Sequence, residues 1–460
     1  MDVQRVDEQT VSLRKVALYA GITLAIVAIG LLPALLSWSY IRALKTVILL
    51  VILVQLVRLT LSAIVSMPES ADPPAFSGDE PPTVSVVIPA YNEASVLPAT
   101  IEACKNLEYP ADKLEVVVCY EADCTDDTGA IAEAAAAEDD RFVAVERDEP
   151  GGGKAKAANY ALEHATGDVI ASIDADHQFE PDAVDRAVRW FDAEPDTWCV
   201  KGRCYGRNPT DSLVALYATV DRHINEKVEL FSRQVFGGFT LFGGGQAFFR
   251  SKVFDEIGPF DEEILVEDID LSAKIHTEGK DIRVDPQIIT YEEQPTTVRS
   301  WWSQRKRWAR GWMQVSVRHL GRVLRSSRPS KTAKADAAQT FSYNLLLPLL
   351  FIGLPLPLLD FLEQVDFFET AVPLTAYLPY SRVLWTILGV FPVLAAAAVF
   401  YSDRRDGLDH HRREYAAALT IGFFLVVNSV FYIVAFIEEF VLRRPSVYVT
   451  TARADEEADS

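Results

Sequence analysis

Residues 169–176 read Val-Ile-Ala-Ser-Ile-Asp-Ala-Asp, an apolar run that ends in two aspartates one residue apart. Side chains two residues apart on a strand point to the same side, so Asp174 and Asp176 present their carboxylates together. Open α/β sheets bind ligands at the carboxyl ends of their strands, and Mg²⁺ and Mn²⁺ prefer carboxylate oxygens. The stretch predicts a metal and phosphate site at the edge of a sheet. The alternative is a pair of solvated loop carboxylates.

The whole chain is acidic: its 460 residues include 65 Asp and Glu against 44 Lys and Arg, for a net charge of −21. This charge argues against nucleic acid as a partner. It also suggests a halophilic source, a hypothesis that activity confined to dilute buffer would contradict. The cysteines are odd in number and lack zinc-type spacing, which predicts free thiols in a reducing, cytosolic compartment. They are Cys104, Cys119, Cys124, Cys199 and Cys204.

The N-terminal region, residues 1–66, is predicted to be a transmembrane hairpin. An uncharged apolar run from about Val16 to Trp38 is long enough to span a bilayer and too long for a cleaved signal peptide. A second run, from about Leu44 to Val65, contains Arg58, which must face protein or reach the interface. Residues 67–82 are rich in Pro and acidic side chains, which predicts a linker.

Residues 83–297 are predicted to form a soluble α/β domain. Apolar strand patterns alternate with helical patterns at short spacing, which predicts a Rossmann-like, mostly parallel sheet with right-handed crossovers. The predicted strands cover residues 84–89, 114–120, 142–145, 168–173 and 198–202. The predicted helices cover about 95–106, 129–138, 156–164, 213–235 and a helix that begins at the carboxylates of 267–270 and ends near 277.

Residues 298–330 interleave Trp with Arg and Lys, which predicts an amphipathic helix at a membrane surface. Residues 331–445 are predicted to hold about three membrane helices, at about 340–362, 382–401 and 416–441. The loop 403–414 carries four arginines, which places it in the cytoplasm by the positive-inside rule. The tail 446–460 is predicted to be disordered and external, although Arg443 and Arg444 fit that orientation badly.

Four motifs in order carry a family resemblance. They are VSVVIPAYNE at 84–93, the aspartate pair at 174–176, Val-Glu-Asp at 266–268 and Gln-Arg-Lys-Arg-Trp at 304–308. The chain resembles the membrane-embedded glycosyltransferases of family 2, the group of cellulose, chitin, hyaluronan and poly-N-acetylglucosamine synthases. The resemblance covers about residues 83–312 and the flanking apolar segments. It implies a GT-A-like cytosolic domain flanked by transmembrane helices, in a multi-pass protein of the cell membrane.

The resemblance implies roles on the donor side. Ala90, Tyr91 and Glu93 would line the nucleotide pocket. Asp176 would bind Mg²⁺ or Mn²⁺ directly, and Asp174 would contact the ribose or the water shell of the metal. Additional donor-side residues are Lys154 and Arg307 at the diphosphate and Glu121 near the base. The family usually has an aspartate pair at this last place, where this chain has Glu121 and Ala122 or, in another alignment, Asp123.

The resemblance also implies Asp268 as the general base, which takes the proton of an acceptor hydroxyl as that oxygen attacks the anomeric carbon. On the acceptor side it implies Gly245, Gln246, Gln304 and Trp308, although Gly245 can equally belong to a plain turn. Other residues have structural interpretations. Glu267 and Asp270 are expected as carboxylates of a helix N-terminus, Asp126 and Asp127 as a helix cap and first turn, and Trp301, Trp302 and Trp312 as interface anchors.

The predicted function is inverting, metal-dependent transfer of a sugar from a nucleotide-sugar, with a UDP-sugar as the expected donor. The acceptor is a polysaccharide or a membrane-associated molecule, and processive polysaccharide synthesis is the leading interpretation. Transfer of a single sugar to a polyprenyl phosphate or glycolipid is the alternative. A non-catalytic membrane scaffold or export component is a third.

Overall fold

The computed structural model describes residues 13–32, 38–149, 153–353 and 381–446. Several predictions fall outside these residues. They are the structure of the first twelve residues, the end of the candidate span at 340–362, the glycines at 151–152 and the tail 446–460 apart from Ser446.

One eight-stranded sheet forms the centre of the described chain, in the order β3-β2-β1-β4-β7-β6-β8-β5. The strands are β1 Val84–Ala90, β2 Leu114–Glu121, β3 Phe142–Arg147, β4 Val169–Ile173, β5 Gln178–Phe179, β6 Thr197–Gly206, β7 Gln246–Arg250 and β8 Asp281–Glu292. The predicted parallel sheet is confirmed for β1 to β4. Beyond them the sheet is mixed, because β7 runs antiparallel to both β4 and β6, and β5 runs antiparallel to β8. The prediction of a mostly parallel sheet is therefore wrong for the second half.

The helices of the soluble part lie on both faces of this sheet. They are α3 Leu97–Lys105, α4 Thr128–Glu138, α5 Lys154–Leu162, α6 Ala183–Ala193, α7 Leu213–Ile224, α8 Phe231–Phe236, α9 Lys252–Glu256 and α10 Glu267–Thr277. Alternate residues of β1 and β2 face opposite cores: Val86 and Val116 pack on one side, Val87 and Val117 on the other. Burial on both faces explains why these strands are continuously apolar. The single helix predicted over 213–235 is divided into α7 and α8 by a π-helical turn, Asn225–Leu230.

The remaining helices lie in the flanking regions. They are α1 Leu13–Leu31, α2 Trp38–Val65, α11 Val298–Arg325, α12 Lys331–Gly353, α13 Ser381–Arg405, α14 Arg412–Ala418 and α15 Ile421–Phe436, the last continuing as a π-helical turn, Ile437–Val441. Within the described residues, one helical stretch, Ile421–Val441, is long and apolar enough to cross a membrane. The multi-span arrangement therefore stays a prediction. Arg58 in α2 faces protein, where it pairs with Glu229 and lies 3.5 Å from Asp336.

The arginine-rich loop 403–414 lies against the soluble domain. The guanidinium of Arg203 on β6 binds both carboxylate oxygens of Asp403, at 2.6 and 2.7 Å. The hydroxyl of Tyr205 donates to the carbonyl of Asp409 at 2.6 Å. These contacts attach the end of α13, which contains Asp403, and the loop that follows it to β6.

Candidate active site

A cavity of about 260 Å³ opens at the carboxyl ends of β1 and β4. Twelve of the thirteen predicted site residues line it: Ala90, Tyr91, Glu93, Glu121, Lys154, Asp174, Asp176, Gly245, Asp268, Gln304, Arg307 and Trp308. They come from β1, β2, α5, the turn after β4, the loop before β7, α10 and α11. The exception is Gln246, whose buried carboxamide oxygen accepts the backbone N–H of Gly202 at 3.3 Å. Gln246 lines a smaller adjacent pocket that also contacts Lys154 and Asp268, and its contact with an acceptor stays a prediction.

The two aspartates lie directly after β4, as their spacing predicts. The backbone N–H of Asp174 donates to the carbonyl of Gly245 at 3.0 Å, which joins the aspartate turn to the glycine loop. Lys154, the first residue of α5, reaches into the cavity from the opposite side. Its Nζ lies 2.5 Å from Asp174 Oδ1 and 3.7 Å from Glu267 Oε1. The lysine predicted to meet a diphosphate therefore bridges two carboxylates in the structure.

His177 is a site residue that the sequence reasoning missed, although it directly follows the aspartate pair. Its Nδ1 lies 2.9 Å from Asp176 Oδ1, and its Nε2 lies 3.0 Å from Glu292 Oε2. Glu292 in turn accepts from Arg222 Nε at 2.7 Å. Burial alone would lower the pKa of His177, but the neighbouring carboxylates outweigh burial and raise it well above its usual value. Burial would likewise raise the pKa of Glu292, but Arg222 and His177 lower it to about 2.

The side chain of His177 leaves room only for a glycine at position 245. The φ of Gly245 is +68°, and a Cβ placed on it would lie 2.2 Å from His177 Nε2. The imidazole therefore fills the space that a side chain at position 245 would occupy, and an acceptor role for Gly245 stays a prediction. A glycine is required here both by the backbone conformation and by the histidine side chain.

Asp268 lies in the first turn of α10, beside the glycine loop. Its Oδ2 accepts the backbone N–H of Gly244, and its Oδ1 accepts that of Ile269 at 2.8 Å. Burial raises the pKa of Asp268, while the charge of Lys154 opposes this shift in part. The pKa of the adjacent Glu267 is raised for the same reason. A carboxylate whose pKa is raised toward neutrality is a better general base.

Helix α11 supplies one wall of the cavity. Gln304, Arg307 and Trp308 all face it, together with Trp312, which the sequence reasoning assigned to the interface. The side-chain oxygen of Gln304 is buried and has no hydrogen-bond partner among the described residues. Gly311 lets the helix approach closely, since a Cβ on it would lie 2.6 Å from a side-chain carbon of Val266.

Trp301, Glu121 and Asp126 all make contacts within the protein. Trp301 is 6% exposed and its ring lies 5.0 Å from that of Phe424 on α15, so it packs between helices and is not an interface anchor. Glu121 lines the cavity, and its Oε1 accepts from Arg147 Nε at 3.0 Å; its expected role near the base stays a prediction. Asp126 lies just before α4 and accepts from the backbone N–H and hydroxyl of Thr128, at 3.1 and 2.6 Å, as expected of a residue that caps this helix.

The donor atoms needed for a divalent cation converge at one corner of the cavity. Asp174, Asp176 and His177 each offer one ligand atom within 4.8 Å of the others. The carboxylates of Asp174 and Asp176, together with phosphate oxygens of a donor, suit Mn²⁺ or Mg²⁺. The residues present therefore fit the expected metal.

Residues 85–258 match the model of the Glycosyl transferase family 2. The probable glycosyltransferase YdaM of Bacillus subtilis is 31% identical over 251 residues, which cover 54% of this chain and 60% of that protein. The poly-beta-1,6-N-acetyl-D-glucosamine synthase of Staphylococcus epidermidis is 25% identical over 285 residues, 60% of this chain and 67% of that one. The beta-monoglucosyldiacylglycerol synthase of Nostoc is 28% identical over 249 residues, 53% and 52% respectively. The chain thus spans about half to two thirds of the length of these relatives.

The fold is also found among solved structures. The mannosyltransferase PcManGT from Pyrobaculum calidifontis, in complex with GDP-Man and Mn²⁺, superposes with a TM-score of 0.56 at 21% identity. The superposition covers 85% of this chain and 98% of that one. At this identity the likeness shows the fold, a mixed GT-A-like sheet flanked by helices.

Proposed function

We propose that this chain, whose central domain is a family 2 glycosyltransferase domain, transfers a sugar from a nucleotide-sugar to an acceptor hydroxyl with inversion of the anomeric carbon. The observation that supports this proposal is the meeting of three groups in one cavity: the Asp174–Asp176 pair, the buried Asp268 and the Gln304–Trp308 face of α11. The first is suited to a donor diphosphate, the second to proton transfer and the third to an acceptor sugar.

On the donor side, Asp176 together with Asp174 would hold Mg²⁺ or Mn²⁺, and His177 would orient Asp176. The ion would offset the charge of the leaving diphosphate. Lys154 would exchange its contact with Asp174 for the diphosphate when the donor binds, and Arg307 would bind the same group as a planar donor. A UDP-sugar remains the expected donor.

Asp268 would take the proton from the acceptor hydroxyl as that oxygen attacks the anomeric carbon from the side opposite the leaving diphosphate. Attack from this side inverts the centre, so an α-linked donor gives a β-linkage. The two backbone N–H groups that hold the carboxylate fix its orientation, and its burial raises its affinity for the proton. Neither hydrogen bond needs to break for an oxygen of the carboxylate to accept that proton.

On the acceptor side, Trp308 offers an apolar face on which a sugar ring can stack, and Gln304 offers an unsatisfied acceptor oxygen. An extended floor of this kind suits a growing polysaccharide, and one of the relatives is a poly-N-acetylglucosamine synthase. Transfer of one sugar to a membrane lipid is the second candidate, because another relative of similar identity is a glucosyldiacylglycerol synthase. In both cases the domain would work at the cytoplasmic face of a multi-pass membrane protein, and the acidic composition would suit a salt-rich cytoplasm.

The test is incubation of membranes that contain the protein with a panel of radiolabelled nucleotide-sugars and Mn²⁺, followed by sizing of the products. Long, donor-dependent chains are expected for a polymerase, and a lipid-extractable product with one added sugar for the second candidate. Membranes with the Asp268→Asn variant are the control. Absence of any product with every donor, or equal product from the variant, would contradict the proposal.

A further inference from the structure

A buried cluster of histidine and carboxylate side chains lies where the 403–414 loop meets the soluble domain, away from the active-site cavity. His223 comes from the last turn of α7, and His410 and Glu414 come from the end of the loop and the first turn of α14. The Oε2 atom of Glu414 lies 3.3 Å from His223 Nε2 and 2.9 Å from His410 Nδ1. All three side chains are at most 3% exposed.

We propose that His223, His410 and Glu414 bind a divalent transition-metal ion, best matched by Zn²⁺, which fastens the 403–414 loop to the catalytic domain. Their three ligand atoms lie within 4.8 Å of one another. In a tetrahedral zinc site with bonds of about 2.0–2.2 Å, the ligand atoms are about 3.3 Å apart. Side-chain movements of about 1 Å would therefore suffice to bring this set to zinc distances.

The surroundings of His410 match the way proteins support a metal-binding histidine. Its Nε2 lies 2.8 Å from Asp403 Oδ2, which leaves Nδ1 directed at Glu414 and the proposed ion. A histidine that binds a metal commonly donates its other ring N–H to a carboxylate, which fixes its orientation. Asp403 is itself held at both oxygens by Arg203, so the supporting carboxylate is immobile.

His223 gives the second, independent reason. It is fully buried, and neither of its ring nitrogens makes a well-aligned hydrogen bond among the described residues. A buried polar group without a hydrogen bond lowers the stability of a protein by about 1–3 kcal/mol. A bond from Nε2 to a metal ion would remove part of that cost.

The charges of the cluster are compatible with a cation. The arginine at 203 neutralises Asp403, so Glu414 is the remaining negative charge next to the ligand atoms.

The proposed site has a route to the active site through α7. Arg222, the neighbour of His223, donates to Glu292, which in turn contacts His177 beside the aspartate pair. An ion that fixes α7 against the loop would therefore also fix Arg222. The role is structural, since the cluster does not touch the donor or acceptor.

The experiment uses the full chain, purified in detergent, stripped with a chelator and titrated with Zn²⁺ and with Co²⁺. The variants His410→Gln and His223→Asn each remove one ligand. His164→Gln is the matched control, because His164 is exposed and lies far from the cluster in the chain. Asp176→Asn separates this ion from a metal at the donor site.

One equivalent of Zn²⁺ is expected to bind and to raise the unfolding temperature in the unaltered chain, in His164→Gln and in Asp176→Asn. Affinity should fall more than about 100-fold in each ligand variant. Bound Co²⁺ should give the intense visible bands of a four-coordinate site. Zinc binding that survives in both ligand variants, or that is lost in Asp176→Asn alone, would overturn the proposal. So would the absence of bound Zn²⁺ in the unaltered chain.

Discussion

Replacement of Gly245 by alanine tests the interpretation that this glycine exists to accommodate His177. The residue has φ +68°, and so does Gly237, at φ +60°, where an added Cβ would meet no atom within 4 Å. Both substitutions place an alanine in the left-handed region, which costs about 1–2 kcal/mol. Only Gly245→Ala adds a collision, because its Cβ would lie 2.2 Å from His177 Nε2.

The additional loss of stability in Gly245→Ala can be worked out from the contacts of His177. An ordinary contact between carbon and nitrogen needs more than 3 Å, so the imidazole must move by about 1 Å or more in a packed interior. That movement weakens the bonds from His177 to Asp176 and to Glu292, now 2.9 and 3.0 Å long. A hydrogen bond to a charged group contributes about 1.5–3 kcal/mol, so Gly245→Ala should be about 2–4 kcal/mol less stable than Gly237→Ala.

Two measurements are needed: thermal unfolding of both variants, and the Mn²⁺ concentration that gives half-maximal transfer. Because Asp176 loses the group that orients it, the required Mn²⁺ concentration should rise about 10–100-fold in Gly245→Ala and stay unchanged in Gly237→Ala. In a His177→Ala background, Gly245→Ala should cost only the roughly 1–2 kcal/mol of the left-handed backbone, since no imidazole remains to collide with. Equal stability and equal Mn²⁺ dependence in the two glycine variants would refute the reasoning.

Three further predictions concern the carboxylates of α10. Asp268→Asn should lower kcat about 10²–10⁴-fold with little change in KM for the donor, and an unchanged rate of transfer would remove Asp268 as the base. Lys154→Met should move the acidic limb of the kcat/KM profile to higher pH, because Lys154 lowers the pKa of Asp268; a limb that stays in place would contradict the coupling. Asp270→Asn should destabilise the domain by about 3 kcal/mol in thermal unfolding at pH 7, because it leaves His319 and Lys274 without their buried carboxylate. Burial would raise the pKa of Asp270, but these partners lower it to about 2. The ionised carboxylate therefore contributes its full stabilisation of the folded state above about pH 4. As the pH falls toward 2, the difference in unfolding free energy between the unaltered chain and the variant should narrow.

The pattern of apolar residues along the sequence was sufficient to predict the first half of the sheet. Strands β1, β2 and β4 are buried on both faces, so they appear in the sequence as continuous apolar runs, and short connections force them to be parallel. The residues that follow such strands then lie at one edge of the sheet, because the carboxyl ends of parallel strands point the same way. This is why Asp174, Asp176 and Tyr91 can be assigned to one site from the order of the residues alone.

The second half of the sheet depends on contacts that leave no local pattern. Strand β7 lies antiparallel between β4 and β6, and both partners are distant from it in the chain. His177 was missed because one histidine after a strand has no periodic signal, and its partner Glu292 is 115 residues away. The docking of the 403–414 loop on Arg203 joins residues 200 apart, so the charges of the loop were assigned to membrane topology alone.

The path of α15 explains an inconsistency in the predicted topology. At its beginning, Thr420 Oγ1 lies 2.6 Å from the hydroxyl of Tyr217 on α7. Beyond its end, the hydroxyl of Ser446 accepts from Gln314 Nε2 at 2.8 Å, and Gln314 also accepts the backbone N–H of Leu265 in the active-site wall. Both ends of this apolar stretch therefore lie against the domain that holds the active site.

A helix that carries the chain across a bilayer separates its two ends by about 30 Å of hydrocarbon, and only one end can then meet a domain on one side. The contacts of α15 fit instead a helix that lies along α11, with Trp301 packed against Phe424 and Arg310 bound to Glu439. These contacts hold residues 443 and 444 beside α11, where Arg310 Nη2 donates to the carbonyl of Arg444 at 2.8 Å. The orientation of this stretch relative to a bilayer therefore stays a prediction.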